Sequence, residues 1–138
     1  MGEFQRIETT ADLDALARDL MREKVVAVDT EADSFYHYFD KTCLVQIATK
    51  KEIFLVDPLA LGGPDELQPL AKFFAAADIR KIFHAAEYDL FVLKRDCGFR
   101  FDGLFDTMIS AQLLGYPAVG LSAPVSYTHL TLPTTPYV

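Results

Sequence analysis

The sequence is organised around Val25-Val26-Ala27-Val28-Asp29-Thr30-Glu31, a short apolar run that ends in two carboxylates. Residues 25–28 are mostly β-branched and too few for a helix, so they predict a buried central strand. Because side chains alternate along a strand, Asp29 and Glu31 are expected to project to the same face. The stretch therefore predicts a sheet protein with two acidic side chains at the end of its central strand.

The pair Asp29 and Glu31 is a candidate metal site. Two carboxylates held together on an apolar strand repel each other and lose hydration, and a divalent cation relieves both effects. Ligands that are all oxygen favour magnesium or manganese over zinc. The alternative is a strand end that runs into solvent, where acidic residues are common.

The flanking segments predict a mixed α/β sheet. Residues 9–22 form an amphipathic helix with Thr9 as its N-cap, and residues 44–48 and 53–56 are strands joined by a polar turn at 50–52. Alternation of strands and helices follows, so we expect a sheet that is antiparallel first and parallel later, with flanking helices. The later elements are a helix opened by Gly62-Gly63-Pro64-Asp65, a strand at 81–84, a helix at 85–97, an extended segment at 101–105 and a helix at 107–114.

A second polar group is His84-Ala85-Ala86-Glu87-Tyr88-Asp89, where a strand gives way to a helix. Asp89 falls in about the first helical turn, near the strand ends where ligands collect in open α/β sheets. The helix dipole alone would also favour an acidic residue there. A single histidine such as His84 is more often a supporting group than a ligand. Asp106 precedes the last helix, and its role as N-cap is sufficient to explain it.

Composition indicates one globular domain. The chain has 138 residues, of which 51% are hydrophobic and 24% charged, and a net charge of −7. That charge argues against electrostatic coating of nucleic acid, but not against an enzyme that holds a few nucleotides through metal ions. Cys43 and Cys97 fit no metal spacing and are predicted to be free thiols. Without a targeting signal or a long apolar run, we expect a cytoplasmic protein with no membrane contact.

The end of the chain has a different character. All 13 basic and 20 acidic residues precede position 107. Residues 125–134, Val-Ser-Tyr-Thr-His-Leu-Thr-Leu-Pro-Thr, resemble a translated transposase adapter used in DNA library preparation. We therefore expect a partial domain over residues 1–122 and a non-native or disordered tail over residues 123–138. The alternative is a natural disordered tail.

These segments, taken in order, resemble one enzyme family. Residues 28–31 resemble the first motif of the DEDD-type 3′–5′ exonucleases, and residues 44–48 look like the second strand of the ribonuclease D and Werner-type branch. Residues 81–90 resemble the second motif, and residues 105–114 the helix that follows it. The resemblance covers about residues 5–121, and it is specific because all segments occur at the family's spacing.

The resemblance implies a ribonuclease H-like fold, incomplete at its C-terminus, and hydrolysis of phosphodiester bonds at 3′ ends. Two divalent cations, Mg²⁺ or Mn²⁺, would be held by acidic side chains, one activating water and the other stabilising the leaving oxygen. By motif, Asp29, Glu31 and Asp89 carry over as metal ligands and catalytic residues.

The same resemblance implies a single-stranded 3′ end of RNA, or of DNA, as the binding partner. Thr30 and His84 would lie beside the terminal nucleotide. Phe35 or Tyr36 would stack on a base, as aromatic side chains do in many single-strand binders.

Two departures from the family pattern matter. The family usually has Asn after the motif histidine, where this chain has Ala85, and substrate positioning is expected to be weaker. The family's third motif, a Tyr followed four positions later by Asp, is absent, since neither Tyr116 nor Tyr127 is followed by an Asp or Glu four positions later. We therefore expect this polypeptide to be nearly inactive. The alternatives are a non-catalytic nucleic-acid-binding module, a Werner-type DNA exonuclease, and another metal-dependent phosphotransfer or ribonuclease H-type enzyme on the same scaffold.

Overall fold

The computed structural model describes residues 3–33 and 41–121. In that part of the chain one six-stranded sheet carries the helices, with the strand order β1-β4-β3-β2-β5-β6. The strands are β1 (Phe4–Ile7), β2 (Val25–Asp33), β3 (Lys41–Ala48), β4 (Ile53–Val56), β5 (Arg80–Phe83) and β6 (Leu104–Asp106).

The strand directions follow the predicted scheme. The β2–β3 and β3–β4 pairs are antiparallel, whereas β5 is parallel to β2 and β6 is parallel to β5. The predicted polar turn closes between β3 and β4, where the Thr49 amide donates to the Glu52 carbonyl at 2.9 Å. The mixed sheet with flanking helices is thus confirmed.

Strand β1 was not predicted. It is parallel to β4 at the edge of the sheet, and of its four residues only Ile7 is buried. An edge strand with one buried side chain has no apolar alternation that a sequence pattern could detect.

The predicted helices are confirmed with one correction, and the short helix at Pro58–Leu61 was not predicted. Thr9 caps the first helix, its hydroxyl accepting from the Asp12 amide at 3.2 Å. The single helix predicted after Gly62 is wrong, because that region is a 3₁₀ helix followed by a short α-helix. Pro69 lies inside the 3₁₀ helix and has no amide hydrogen to continue an α-helical ladder. The helices are α1 (Thr10–Leu20), α2 (Pro58–Leu61), the 3₁₀ helix (Pro64–Leu70), α3 (Ala71–Ala75), α4 (Ala86–Cys97) and α5 (Thr107–Leu113).

An aromatic cluster fills the core beside β5 and α3. The Phe74 ring lies 5.0 Å from Phe73, 5.1 Å from Phe99 and 5.4 Å from Phe101, measured between centroids.

Cys97 is a free, buried cysteine, and burial raises the pKa of its thiol to about 12. Cys97 is thus free as predicted, while the side chain of Cys43 lies outside the described part.

The parallel strands end on one side of the sheet, where the predicted site residues lie. Ala27 pairs with Ile82, and Phe83 pairs with Asp106, so β5 and β6 end side by side next to the middle of β2, near Asp29. Asp29, His84 and Asp106 follow one another across this edge. Within residues 3–33 and 41–121, no helix combines the length and apolar character needed to cross a bilayer.

Candidate active site

Asp29 and Glu31 lie within β2 rather than at its end. The strand continues to Asp33, and its pairing with β3 is irregular between Glu31 and Ala32. Val26 and Val28 are buried, whereas Asp29 and Glu31 are exposed. The alternation confirms that the two carboxylates leave the strand on the solvent side.

Asp89 is the buried carboxylate of the site. It lies in the first turn of α4 with a relative exposure of 6%, and the Thr30 hydroxyl donates to its Oδ1. Burial raises the pKa of the Asp89 carboxyl above its ordinary value of 3.8, and the negative charges of Asp29 and Asp106 raise it further. The Thr30 bonds oppose that rise without cancelling it. The structure therefore brings Asp89 into the electrostatic field of Asp29.

The predicted ligands are only partly assembled. Among the described residues, no group of three or more histidine, cysteine, aspartate or glutamate side chains is close enough to hold a metal ion. The negative charge of Asp29 nevertheless raises the pKa of the Asp89 carboxyl, and Glu31 shares the strand face of Asp29. A buried carboxylate under repulsion from a second one fits a hard divalent cation, because the cation removes the repulsion and accepts oxygen ligands.

Asp106 joins two helices at the edge of the sheet. Its carboxylate accepts from the amides of Ala85 and Ala86 at 3.1 and 2.7 Å, and from those of Met108 and Ile109 at 2.8 and 3.3 Å. Burial raises the pKa of Asp106, but these four donors outweigh it and hold the pKa below its ordinary value. The predicted N-cap is confirmed for α5. The sequence did not show that the same carboxylate also binds the start of α4.

His84 is held by the start of α5. Its Nδ1 lies 2.8 Å from the Thr107 hydroxyl, which donates to the Phe83 carbonyl at 3.1 Å. His84 is half-buried at the carboxyl end of β5, next to the edge that carries Asp29. Thr107 was not predicted as a site residue, since nothing in its sequence neighbourhood distinguishes it from an ordinary first-turn threonine.

Aromatic side chains border the site. Phe35 and Tyr36 lie outside the described residues, so their predicted stacking role stays a prediction. A groove of about 1110 Å³ opens between α4 and α5, beside Asp106. Tyr88, Phe91 and Phe105 line it and are each at least 40% exposed. These rings are surfaces of the kind on which unpaired bases stack.

Ala85 departs from ordinary backbone geometry. Its φ of 57° places it in the left-handed region, which in the described residues no other non-glycine residue occupies. Alanine is strained there, whereas asparagine is tolerated. We expect Ala85→Asn, which restores the family residue, to raise the free energy of unfolding by about 0.5–1 kcal/mol. Chemical denaturation measures this change, and a lower midpoint for Ala85→Asn would contradict it.

Comparison with known proteins agrees with this geometry. The family model described as 3′–5′ exonuclease matches residues 4–131. The chain belongs to the 3′–5′ exonuclease family. The matched range includes residues that resemble the adapter, and the domain boundary at 122 stays a prediction.

Curated relatives of this exonuclease domain include RRP6 and ribonuclease D proteins. The chain is 35% identical over 116 residues to the exosome complex exonuclease RRP6 of Saccharomyces cerevisiae, covering 84% of the chain and 16% of that protein. It is 37% identical over 125 residues to ribonuclease D of Zymomonas mobilis, covering 90% of the chain and 30% of that protein. The chain thus spans less than a third of the length of these relatives.

Solved structures confirm the ribonuclease D-type exonuclease fold. The catalytic core of RRP6 from Trypanosoma brucei superposes with a TM-score of 0.86 at 35% identity, covering 96% of this chain and 36% of that one. The Escherichia coli RNase D structure gives a TM-score of 0.83 at 28% identity, covering 95% and 35%. The ribonuclease H-like sheet implied by the resemblance is therefore confirmed.

Proposed function

We propose that this chain supplies the first two catalytic motifs of a metal-dependent 3′–5′ exoribonuclease of the ribonuclease D type. The observation that supports this most is the hydrogen bond from the Thr30 hydroxyl to Asp89. It brings Asp89 against the strand that carries Asp29, 60 residues away in sequence, so that the charge of Asp29 raises the pKa of Asp89. A module that only binds nucleic acid has no use for a buried carboxylate under repulsion from a second one.

Asp29, Glu31 and Asp89 would hold the divalent cations, Mg²⁺ or Mn²⁺. Bound metal supplies an activated water and stabilises the leaving 3′ oxygen. The chain's own residues prepare the site for that chemistry. Thr30 orients the Asp89 carboxylate through its hydroxyl, and Asp106 fixes the starts of α4 and α5 relative to each other.

RNA is the proposed substrate because of the relatives. The Escherichia coli RNase D, 28% identical to this chain, is described as an exoribonuclease involved in structured RNA processing. The net charge of −7 favours a site that grips a few nucleotides at a free end over one that wraps a duplex. We therefore propose a single-stranded 3′ end as the binding partner.

A chimera tests the proposal. Residues 4–121 would be joined to the following sequence of the Zymomonas mobilis ribonuclease D and incubated with 5′-labelled RNA and, separately, DNA. We expect stepwise shortening of RNA from its 3′ end that requires Mg²⁺ or Mn²⁺. Asp29→Asn should abolish it, while Glu87→Gln, an equal loss of charge at an exposed position, should not. Metal-independent cleavage, internal cleavage or a preference for DNA would contradict the proposal.

The 138-residue chain by itself is expected to be nearly inactive. It carries neither the fourth metal carboxylate nor the tyrosine of the third motif, and groups that act as one catalytic unit lose most of their effect when one is missing. The same labelled RNA measures this directly, with the chimera as the positive control. Digestion by the chain at a rate close to that of the chimera would show that the third motif is dispensable.

A further inference from the structure

Three groups form a short chain of hydrogen bonds at the end of β5. The Thr107 hydroxyl oxygen lies 3.1 Å from the Phe83 carbonyl oxygen and 2.8 Å from His84 Nδ1. A carbonyl oxygen carries no hydrogen, so the proton between the two oxygens belongs to Thr107. The single hydroxyl proton is then used, and Thr107 can only accept from His84. The imidazole must therefore carry a proton on Nδ1.

The proton on Nδ1 determines the hydrogen-bonding role of the other ring nitrogen, Nε2. A neutral imidazole protonated on Nδ1 has a lone pair on Nε2 and accepts a hydrogen bond there. Nε2 makes no hydrogen bond to a described residue, and no buried side-chain nitrogen or oxygen in the described part lacks a partner. Since Nε2 has no partner among the described residues and is not fully buried, it keeps contact with solvent and can accept from a ligand.

The sheet register directs His84 towards the metal-binding carboxylates. Ala27 of β2 pairs with Ile82 of β5, and the same register extended by two residues, one past the end of β5, would place His84 beside Asp29. Neighbouring strands are about 4.8 Å apart, and paired side chains leave the sheet on the same face. A nucleotide whose reacting phosphate lies at Asp29 would therefore have its sugar within reach of His84.

We propose that Thr107 is a positioning residue that holds His84 in the Nδ1-protonated form, so that Nε2 accepts a hydrogen bond from a hydroxyl of the 3′-terminal ribose. The proposal rests on the proposed function for its ligand. Phosphate oxygens only accept hydrogen bonds, so neutral His84 in this form cannot pair with them. Ribose hydroxyls donate, and they are what this nitrogen selects on the sugar.

The protonation pattern of the ring can be observed in the 138-residue chain itself, without activity. A long-range proton–nitrogen NMR correlation spectrum at a pH where His84 is neutral distinguishes a protonated from an unprotonated Nε2. We expect an unprotonated Nε2 in the wild type and in Thr107→Ser, and a mixture of the two forms in Thr107→Val. Ser110→Ala, which removes a hydroxyl of α5 that among the described residues bonds only the Asp106 carbonyl, is the control and should resemble the wild type. A protonated Nε2 in the wild type overturns the proposal, even if Thr107→Val does not fold.

The ligand is tested with mononucleotides in the presence of Mn²⁺. We expect adenosine 5′-monophosphate to bind about 3- to 10-fold more tightly than its 2′,3′-dideoxy analogue, as one hydroxyl hydrogen bond predicts. Thr107→Val should reduce that ratio towards one, and Thr107→Ser should restore it. Equal affinity of the wild type for the two nucleotides overturns the ribose contact alone. If the wild-type chain binds neither nucleotide, both the proposed function and the ribose contact are contradicted. The NMR spectrum still decides whether Thr107 positions His84.

Discussion

Replacing Asp89 with asparagine is expected to stabilise the metal-free chain at pH 7 while abolishing its response to Mn²⁺. Asp89 is buried, and at neutral pH its charged form is opposed by burial and by the charge of Asp29. Asparagine has nearly the same shape and keeps an Oδ1 that accepts from Thr30. We expect the melting temperature to rise by about 4 °C, which corresponds to about 1 kcal/mol for a domain of this size.

The pH dependence of this gain has a definite sign. The pKa of Asp89 is raised in the folded chain, so between 3.8 and that higher value the folded state binds more protons than the unfolded state. The stability of the wild type therefore falls as the pH rises through this window. The advantage of Asp89→Asn should be largest at neutral pH and should disappear below about pH 3.8, where both side chains are neutral.

Mn²⁺ should make the wild type more stable than Asp89→Asn, the reverse of the order without metal. A cation that binds only the folded state stabilises it, so Mn²⁺ should raise the melting temperature of the wild type but not of Asp89→Asn. Glu87→Gln, an exposed position in the same turn of α4, should behave as the wild type in both measurements. A less stable Asp89→Asn at pH 7, or one that still responds to Mn²⁺, would contradict the assignment of Asp89 as a ligand.

The substitution Gly103→Ala is expected to destabilise the fold by about 3 kcal/mol. A Cβ on Gly103 would lie 2.4 Å from the Ile79 carbonyl oxygen and 3.1 Å from that of Ala76. Its φ of +67° adds the cost of a left-handed backbone, about 1–2 kcal/mol, to the cost of overpacking. The Gly103 carbonyl also accepts from the Lys81 amide at 2.8 Å, so any shift disturbs the start of the β5–β6 pairing.

Gly98 offers a matched control for this substitution. Its φ is +69°, almost the same as that of Gly103, but a Cβ there meets nothing within 4 Å. Gly98→Ala should therefore cost only the conformational part, about 1–2 kcal/mol. Urea denaturation of both variants isolates the effect of the clash. Equal losses would mean that the backbone beside Ile79 relaxes freely around a methyl group.

Local signals explain what could be predicted of the fold. Strand β2 and helix α4 were predictable because one has a compact β-branched run and the other ends at Gly98, whose φ is positive. Strand β1, by contrast, depends on contacts with distant residues, such as the pairing of Ile7 with Val56. Such contacts leave no periodic signature in the sequence.

The candidate site was predictable as a set of residue types but not as a geometry. The motif spacing predicted Asp29, Glu31 and Asp89 as candidates, yet nothing in it showed that Thr30 lies against Asp89. The double use of Asp106 was also hidden, because an N-cap is recognised from its own helix while the amides of Ala85 and Ala86 belong to another. Both interactions join residues that only the folded sheet brings together.

Whether Asp29 and Asp89 hold a metal ion is tested by Mn²⁺ binding to the 138-residue chain, measured from the loss of the electron paramagnetic resonance signal of the free ion. We expect saturable binding to the wild type and to Glu87→Gln, and its loss in Asp29→Asn and Asp89→Asn. Saturable binding that survives both of these substitutions would place the metal elsewhere and would contradict the claim that Asp29 and Asp89 hold it.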